Sequence, residues 1–140
     1  MSELGAEIAT LGRAFGISNL EEVRPTLAAQ LRVRVGGVDS SFSARTGGER
    51  LRLRLATVIA LLRVANRLGV GRHPGIVLID SPGGEEMVEG DLAAILRELA
   101  SVCGELPELQ LIVATARAAE VREVLAEDRI IHGPDYAEVW

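Results

Sequence analysis

Residues 46–49 have the composition of an anion-binding turn. The run Thr46-Gly47-Gly48-Glu49 precedes a long segment with helical periodicity. Two glycines allow a ligand to approach the backbone closely, and the free N–H groups at a helix N-terminus attract an anion such as phosphate. The Thr46 hydroxyl could donate a further hydrogen bond. The same residues also fit an ordinary capping box, in which Thr46 caps the helix and Glu49 reaches back to it. The sequence leaves both interpretations open.

A carboxylate ends a short, wholly apolar run. Asp80 follows Ile76–Ile79, and an Asp in this position is typical of Mg²⁺ sites beside bound nucleotides. It is also a common way to start a turn. Thr115 follows the next predicted strand. Because ligands bind beyond the carboxyl ends of parallel strands, we expect Thr46–Glu49, Asp80 and Thr115 to converge on one edge of a sheet.

The elements that must position these residues alternate between strands and helices. Short alternating or continuous apolar runs predict strands, and a period of about 3.6 residues predicts helices. Their order indicates an α/β fold with a parallel sheet, flanking helices and right-handed crossovers. We expect strand 75–80 to be buried on both faces. The predicted elements are a helix over 3–15, a helical turn capped by Asn19, a strand over 31–35, a loop over 39–48, a helix from 50 to Gly69 or Gly71, a strand over 75–80, a helix over 85–103, a strand over 109–115, a helix over 118–126 and a strand over 129–132.

One domain accounts for the length of the chain. Its 140 residues are 48% hydrophobic and 25% charged, which excludes disorder as the main state. We expect a single α/β domain over 1–140, made of a helical segment (1–28), a lobe with the candidate site (30–132) and a tail (133–140). The single Cys103 and the absence of a secretory signal favour the cytoplasm. No apolar run reaches the roughly 20 residues of a membrane span.

Three segments together resemble the C-terminal lobe of an ABC-type ATPase head, as found in SMC, RecF-like and double-strand-break-repair ATPases. Residues 45–50 read RTGGER, where the signature motif of that family reads LSGGE or similar. Residues 76–82 read IVLIDSP, where its Walker B motif reads hhhhDEP. Residues 114–116 read ATA, where its switch strand ends in Thr-His. The resemblance covers roughly residues 30–132, and strand 31–35 matches the strand before the signature loop.

This resemblance implies the fold of a P-loop ATPase head, with ATP and Mg²⁺ as cofactors in the complete head. Thr46, Gly47, Gly48 and Glu49 would present the signature motif to a γ-phosphate, and Asp80 would hold Mg²⁺ through water. Such heads bind ATP between the P-loop of one subunit and the signature motif of the other.

Departures from the family pattern limit what the chain can do alone. Ser81 stands where the family has a catalytic Glu, and Ala116 stands where it has the switch His. All 15 basic residues are Arg, so the Lys of a P-loop is missing. Either Glu85 or Glu86 could polarise water in place of the missing Glu, or both could simply complement a helix dipole. We expect a fragment or split subunit that is inactive alone and that works with a missing P-loop lobe or a second ATPase head.

The distribution of charge along the sequence indicates whether the protein could bind a nucleic acid. The net charge of −5 argues weakly against general nucleic-acid binding. Residues 45–72, however, carry seven Arg and only one acid, Glu49. This basic segment could face DNA, or it could be the solvated side of a helix.

We also expect self-association, because an edge near Leu31–Val35 and the outer side of helix 51–62 would lie uncovered. The competing hypothesis is a non-catalytic α/β protein-interaction module.

Overall fold

The computed structural model describes residues 2–28, 30–70, 74–80 and 90–133. Four helices and five strands lie in these ranges, and two 3₁₀ turns, over Phe42–Ala44 and Glu127–Arg129, connect them. The elements are α1 (Glu3–Ala14), β1 (Leu20–Pro25), β2 (Leu31–Val35), β3 (Val38–Ser41), α2 (Gly47–Leu68), β4 (Ile76–Asp80), α3 (Asp91–Glu105), β5 (Gln110–Ala114) and α4 (Ala118–Arg122).

Strands β1, β2 and β3 form an antiparallel sheet in that order. The predicted strand over 31–35 is confirmed. The helical turn predicted after Asn19 is wrong, because Asn19 adopts a left-handed conformation (φ 56°) that leads directly into β1. Gly36 and Gly37 both have positive φ, as a two-residue turn between antiparallel strands requires. The N-terminal segment is therefore helical only as far as Ala14.

Helix α2 confirms the long predicted helix and spans 22 residues. The alternation of Arg and Leu over 50–55 imitates a strand, but the apolar period continues for several turns and decides for a helix. Gly69 ends the helix in a left-handed conformation (φ 63°), as predicted. Gly71, the other predicted stop, lies outside the described residues.

Strands β4 and β5 form a separate two-stranded parallel sheet, with Ile76 opposite Gln110 and Asp80 opposite Ala114. Both strands were predicted, and the predicted α/β fold with a parallel sheet and flanking helices is confirmed, but strand 31–35 belongs to the antiparallel sheet and not to this one. Residues 129–132 form no strand, since they follow a 3₁₀ turn and run without regular pairing. Helix α3 begins at Asp91, and residues 85–89 of the predicted helix lie outside the described part. Helix α4 ends at Arg122, earlier than predicted.

The two faces of the β4–β5 sheet differ in burial. Val77, Ile79, Leu111 and Val113 point to the core. On the opposite face, Ile76 is 47%, Leu78 71% and Ile112 47% exposed, and Asp80 and Ala114 are exposed beside them. We call this face, defined by Ile76, Leu78 and Ile112, the open sheet face. The prediction of a strand buried on both faces is therefore wrong.

The core lies between α1, α2, α3 and the inner faces of both sheets. Leu92, Ile95, Leu96 and Leu99 of α3 are buried in it, as predicted. Val33 is also buried and Leu31 and Val35 are half-buried, so the apolar surface expected at this edge is largely covered. In the described residues no helix is long and apolar enough to cross a bilayer.

Carboxylates of α1 and α3 tie these helices to α2. Arg63 donates to Glu7 (Nη1–Oε1, 3.0 Å) and pairs with Glu105 (Nη2–Oε2, 2.5 Å). Arg67 donates to Glu3 and to Glu7. These pairs fix the position of the helix that begins at the candidate site.

Candidate functional site

The turn over Thr46–Glu49 is a complete capping box. Thr46 has an extended conformation (φ −61°, ψ 161°), and its Oγ1 accepts from the Glu49 N–H at 3.2 Å. Oε2 of Glu49 accepts from the Thr46 N–H at 3.1 Å and lies 3.2 Å from the Thr46 hydroxyl. These bonds satisfy two amides at the start of α2 and stabilise its first turn.

This geometry matches the second of the two interpretations that the sequence left open. A bare phosphate cradle requires a free Thr46 Oγ1 and a free Glu49 N–H, and both are engaged here. As whole residues, Gly48 is buried and Gly47 is half-buried. Within the described residues, the N–H groups of Gly47 and Gly48 have no hydrogen-bond partner. These two amides, at the positive end of a 22-residue helix, are what the turn offers to an anion.

Two Arg side chains flank this turn. Arg45 lies 3.7 Å from Glu49 (Nη1–Oε1) and 3.4 Å from the Ser40 hydroxyl. Arg50 donates to the Arg45 carbonyl at 3.0 Å. Nε of Arg45 is buried and has no partner within the described residues. The cations here therefore hold the turn in place and are partly withdrawn from solvent.

The basic segment over 45–72 is largely neutralised by internal ion pairs. Arg52 pairs with Asp91 at the start of α3, and Arg63 and Arg67 pair with the carboxylates of α1 and α3 named above. With Arg45, at least four of the six Arg side chains of this segment that the structure describes have carboxylate partners, and Arg72 lies outside the described residues. The predicted DNA-facing surface is thus mainly a set of inter-helix contacts.

Asp80 and Thr115 lie side by side at the carboxyl ends of β4 and β5. The register places Asp80 opposite Ala114, so Thr115 follows at the same edge. Thr115 Oγ1 accepts from the Arg117 N–H at 3.2 Å, which turns the chain toward α4. Ser81, Glu85 and Glu86, the candidate catalytic residues, lie outside the described residues.

The side-chain contacts of the Thr46–Glu49 turn stay close to the turn. Thr46 and Glu49 bond to each other, and Glu49 also lies beside Arg45. The described part of the chain holds no group of three or more His, Cys, Asp or Glu side chains that could bind a metal.

Glu120 is a buried carboxylate that the sequence analysis did not identify. Its Oε1 accepts from Arg117 Nη1 at 3.0 Å, whereas Oε2 is buried without a partner within the described residues. The Arg-x-x-Glu spacing over 117–120 is compatible with such a helical pair. The pair fixes the side chain of Arg117 at the start of α4.

Cys103 is not activated as a nucleophile. Burial raises the pKa of its thiol above the ordinary value. A raised pKa keeps the thiol protonated at neutral pH, and thiolate is the reactive form. Cys103 is half-buried.

Comparison with known proteins identifies the fold. No protein-family model and no curated protein matches the chain. Solved structures do match, among them three of SMC proteins. These three are an SMC ATPase from a study of ATP-driven dimerisation and DNA-stimulated activation (TM-score 0.59, 16% identity), the SMC head domain from Thermotoga maritima (0.55, 16%) and the Smc head domain from Pyrococcus furiosus bound to the C-terminal domain of ScpA (0.59, 13%).

These alignments cover most of this chain but only part of the larger proteins. They cover 85%, 87% and 87% of the chain, and 70%, 40% and 30% of the respective structures. The fold is that of an SMC ATPase head, a P-loop NTPase fold, of which this chain spans a part. The identities are too low to carry ligands or partners across.

Proposed function

We propose that the chain is a partial ATP-binding domain, the C-terminal lobe of an SMC- or RecF-like ATPase head. The open sheet face is the observation that carries this proposal. Among the described residues, helices cover the sheet that bears Asp80 on one side only, and Ile76, Leu78 and Ile112 are exposed on the other. A sheet of this fold is normally covered on both faces. Another lobe would supply the missing layer.

In this proposal the chain supplies one side of a composite ATP site. A P-loop in the missing lobe, or in a second head, would hold the nucleotide. The N-terminus of α2 would face the γ-phosphate through the Gly47 and Gly48 amides, with Thr46 and Glu49 keeping the turn rigid. Asp80 would hold Mg²⁺ through water, and Ser81 with Glu85 or Glu86 would border the attacking water.

Titration of the chain with Mg-ATP, followed by heteronuclear NMR, tests this proposal. We expect no ATPase activity and millimolar or weaker binding, because the P-loop contributes most of the phosphate contacts. The amide signals of Gly47 and Gly48 should shift, whereas those of Gly36 and Gly69, which lie in turns elsewhere, should not. Micromolar affinity, or shifts that spare the start of α2, would contradict a signature-side lobe.

A second candidate function is a non-catalytic α/β interaction module. The complete capping box favours it, since a turn whose hydroxyl is already satisfied needs no ligand to explain it. Gly48→Asp distinguishes the two candidates in the complete ATPase. In a signature turn the added negative charge would prevent ATP-driven head engagement. Because Gly48 is buried, a thermal unfolding curve first establishes that the variant folds. Normal engagement and turnover by that variant would favour the interaction module.

DNA remains a proposed partner of the complete protein only. In the described residues, the internal ion pairs of α2 leave little of the basic segment available for phosphates. DNA binding by this chain should therefore be weak and strongly reduced by salt.

A further inference from the structure

A groove lies between the start of β2, the 3₁₀ turn after β3 and the outer side of α2. Its volume is about 620 Å³, within the usual range of ligand-binding pockets. Leu31, Phe42 and Val58 make its apolar floor, and Ser41, Ser43 and Thr57 add hydroxyl groups. We call this the β2–α2 groove.

Two Arg side chains, Arg32 and Arg54, line the β2–α2 groove. Both are exposed, and in the described part of the chain neither has a carboxylate within ion-pair distance. Arg54 instead places its guanidinium 5.4 Å from the centre of the Phe42 ring. Since most other Arg side chains in the described residues are ion-paired, two unpaired cations at one groove are a distinctive feature.

The strand register places a second cation, Arg24, beside Arg32. Arg32 lies directly opposite Arg24 in the antiparallel pair, and like charges in such positions repel. Glu22 neutralises Arg24 through two short hydrogen bonds (2.7 and 2.6 Å). Arg32 itself has no carboxylate within ion-pair distance in the described part of the chain, although Glu22 and Asp39 line a neighbouring pocket with it.

The outer side of α2 extends the apolar floor. Arg54, Val58 and Leu61 follow one another at spacings of four and three residues and so share one face of the helix. Val58 is 41% and Leu61 49% exposed. Apolar contact area with cations beside it suits a ligand that carries both apolar and acidic groups.

We propose that the β2–α2 groove binds an acidic peptide segment of a partner protein, with aliphatic or aromatic side chains on the floor and carboxylates on Arg32 and Arg54. Two Arg side chains beside an apolar floor suit a few carboxylates on an apolar peptide better than the regular run of phosphates in a nucleic acid. The floor also offers a single aromatic ring, already covered by Arg54. This proposal does not depend on the ATP-site proposal, because no residue is shared between them.

Fluorescence polarisation tests the proposal with a short labelled peptide in which Glu alternates with Leu and Phe. We expect this peptide to bind the full chain and a Gln-for-Glu version to bind much more weakly. The double variant R32Q/R54Q should weaken binding at least about tenfold, since two charge-assisted contacts are lost. Arg97→Gln removes an exposed charge from α3 and is the matched control, with no expected effect. NMR shifts should localise binding to Thr57 and Val58.

Three results would overturn the proposal. One is the absence of peptide binding up to millimolar concentration. Another is equal weakening by Arg97→Gln and by R32Q/R54Q, which would indicate a general charge effect. The third is tighter binding of a labelled oligothymidine that R32Q/R54Q abolishes, which would make the groove a nucleic-acid site. A thermal unfolding curve for each variant separates loss of binding from loss of fold.

Discussion

Thr46 shows how a single side chain can satisfy a structural and a functional interpretation of the same sequence. Its hydroxyl is engaged twice with Glu49, once as acceptor and once at hydrogen-bond distance from the carboxylate. The sequence identified both residues and their spacing. It could not decide between a cap and a cradle, because that depends on where one oxygen atom points.

Replacing Thr46 therefore tests the cap. We expect Thr46→Ala to lower the free energy of unfolding by about 1 kcal/mol, the usual effect of losing an N-cap. Urea unfolding measures this change. Thr10→Ala is the control, since the Thr10 hydroxyl bonds only within its own helix turn and to exposed Arg13. Equal effects of the two substitutions would argue against a stabilising cap at Thr46.

The ion pair between Glu22 and Arg24 has a predictable pH dependence. The guanidinium of Arg24 holds the pKa of the Glu22 carboxyl below its ordinary value. Because the pKa is lower in the folded state, the pair's contribution to stability is present above the unfolded-state pKa of about 4.3 and is lost as the pH falls through the folded-state pKa. Arg24→Gln should raise the Glu22 pKa, as an NMR titration of the carboxyl carbon would show. An unchanged midpoint would contradict the pairing.

At the scale of elements, close packing of α1 against β1 depends on a residue without a side chain. A Cβ at Gly5 would overlap the carbonyl oxygen of Val23, a backbone atom that cannot move aside cheaply. At Gly104, near the end of α3, a Cβ would meet nothing within 4 Å.

This contrast predicts opposite effects of one substitution. Gly5→Ala should destabilise the fold by about 1–3 kcal/mol through overpacking. Gly104→Ala should stabilise it by about 0.5 kcal/mol, because Ala favours a helix more than Gly. Thermal unfolding of both variants measures the difference. A neutral Gly5→Ala would mean that α1 can shift away from β1 without cost.

The elements that the sequence predicted well are those with long or strong local patterns. Helix α2, the strands at 31–35 and 76–80 and the inward face of α3 all follow directly from apolar spacing. The segment over 20–25 is a strand, but its sequence predicted a helical turn, because Glu21 and Glu22 are typical of the first turn of a helix. Its strand conformation depends on pairing with β2, which is distant from local sequence patterns. Residues 129–132 have a strand-like composition but find no neighbouring strand to pair with in the described part of the chain.

At the scale of the whole molecule, burial is what the sequence could least predict. The apolar run over 76–79 is typical of a parallel strand that is covered on both faces. The run does form a parallel strand, but only one of its faces is covered among the described residues. Whether a layer is present depends on other parts of the assembly. The sequence also could not predict that Arg32 and Arg54 lack carboxylate partners among the described residues. Which Arg pairs with which acid depends on how the helices and strands pack.

The open sheet face leads to the last prediction, which concerns association. We expect the chain to self-associate with rising concentration in sedimentation velocity, because Ile76, Leu78 and Ile112 expose contiguous apolar surface. Leu78→Glu should shift the distribution toward monomer, since a charge at the centre of this face opposes its burial. Val38→Glu is the matched control, because Val38 is exposed on the other sheet and lies away from the open face.

If the face is instead built to receive a P-loop-bearing lobe, Leu78→Glu should also prevent assembly with that lobe, whereas Val38→Glu should not. Wild-type chain that stays monomeric at all concentrations, or equal responses of the two variants, would contradict a role for the face in association. The face would then be an exposed surface of a self-sufficient domain, and the proposal of a missing layer would lose its main support.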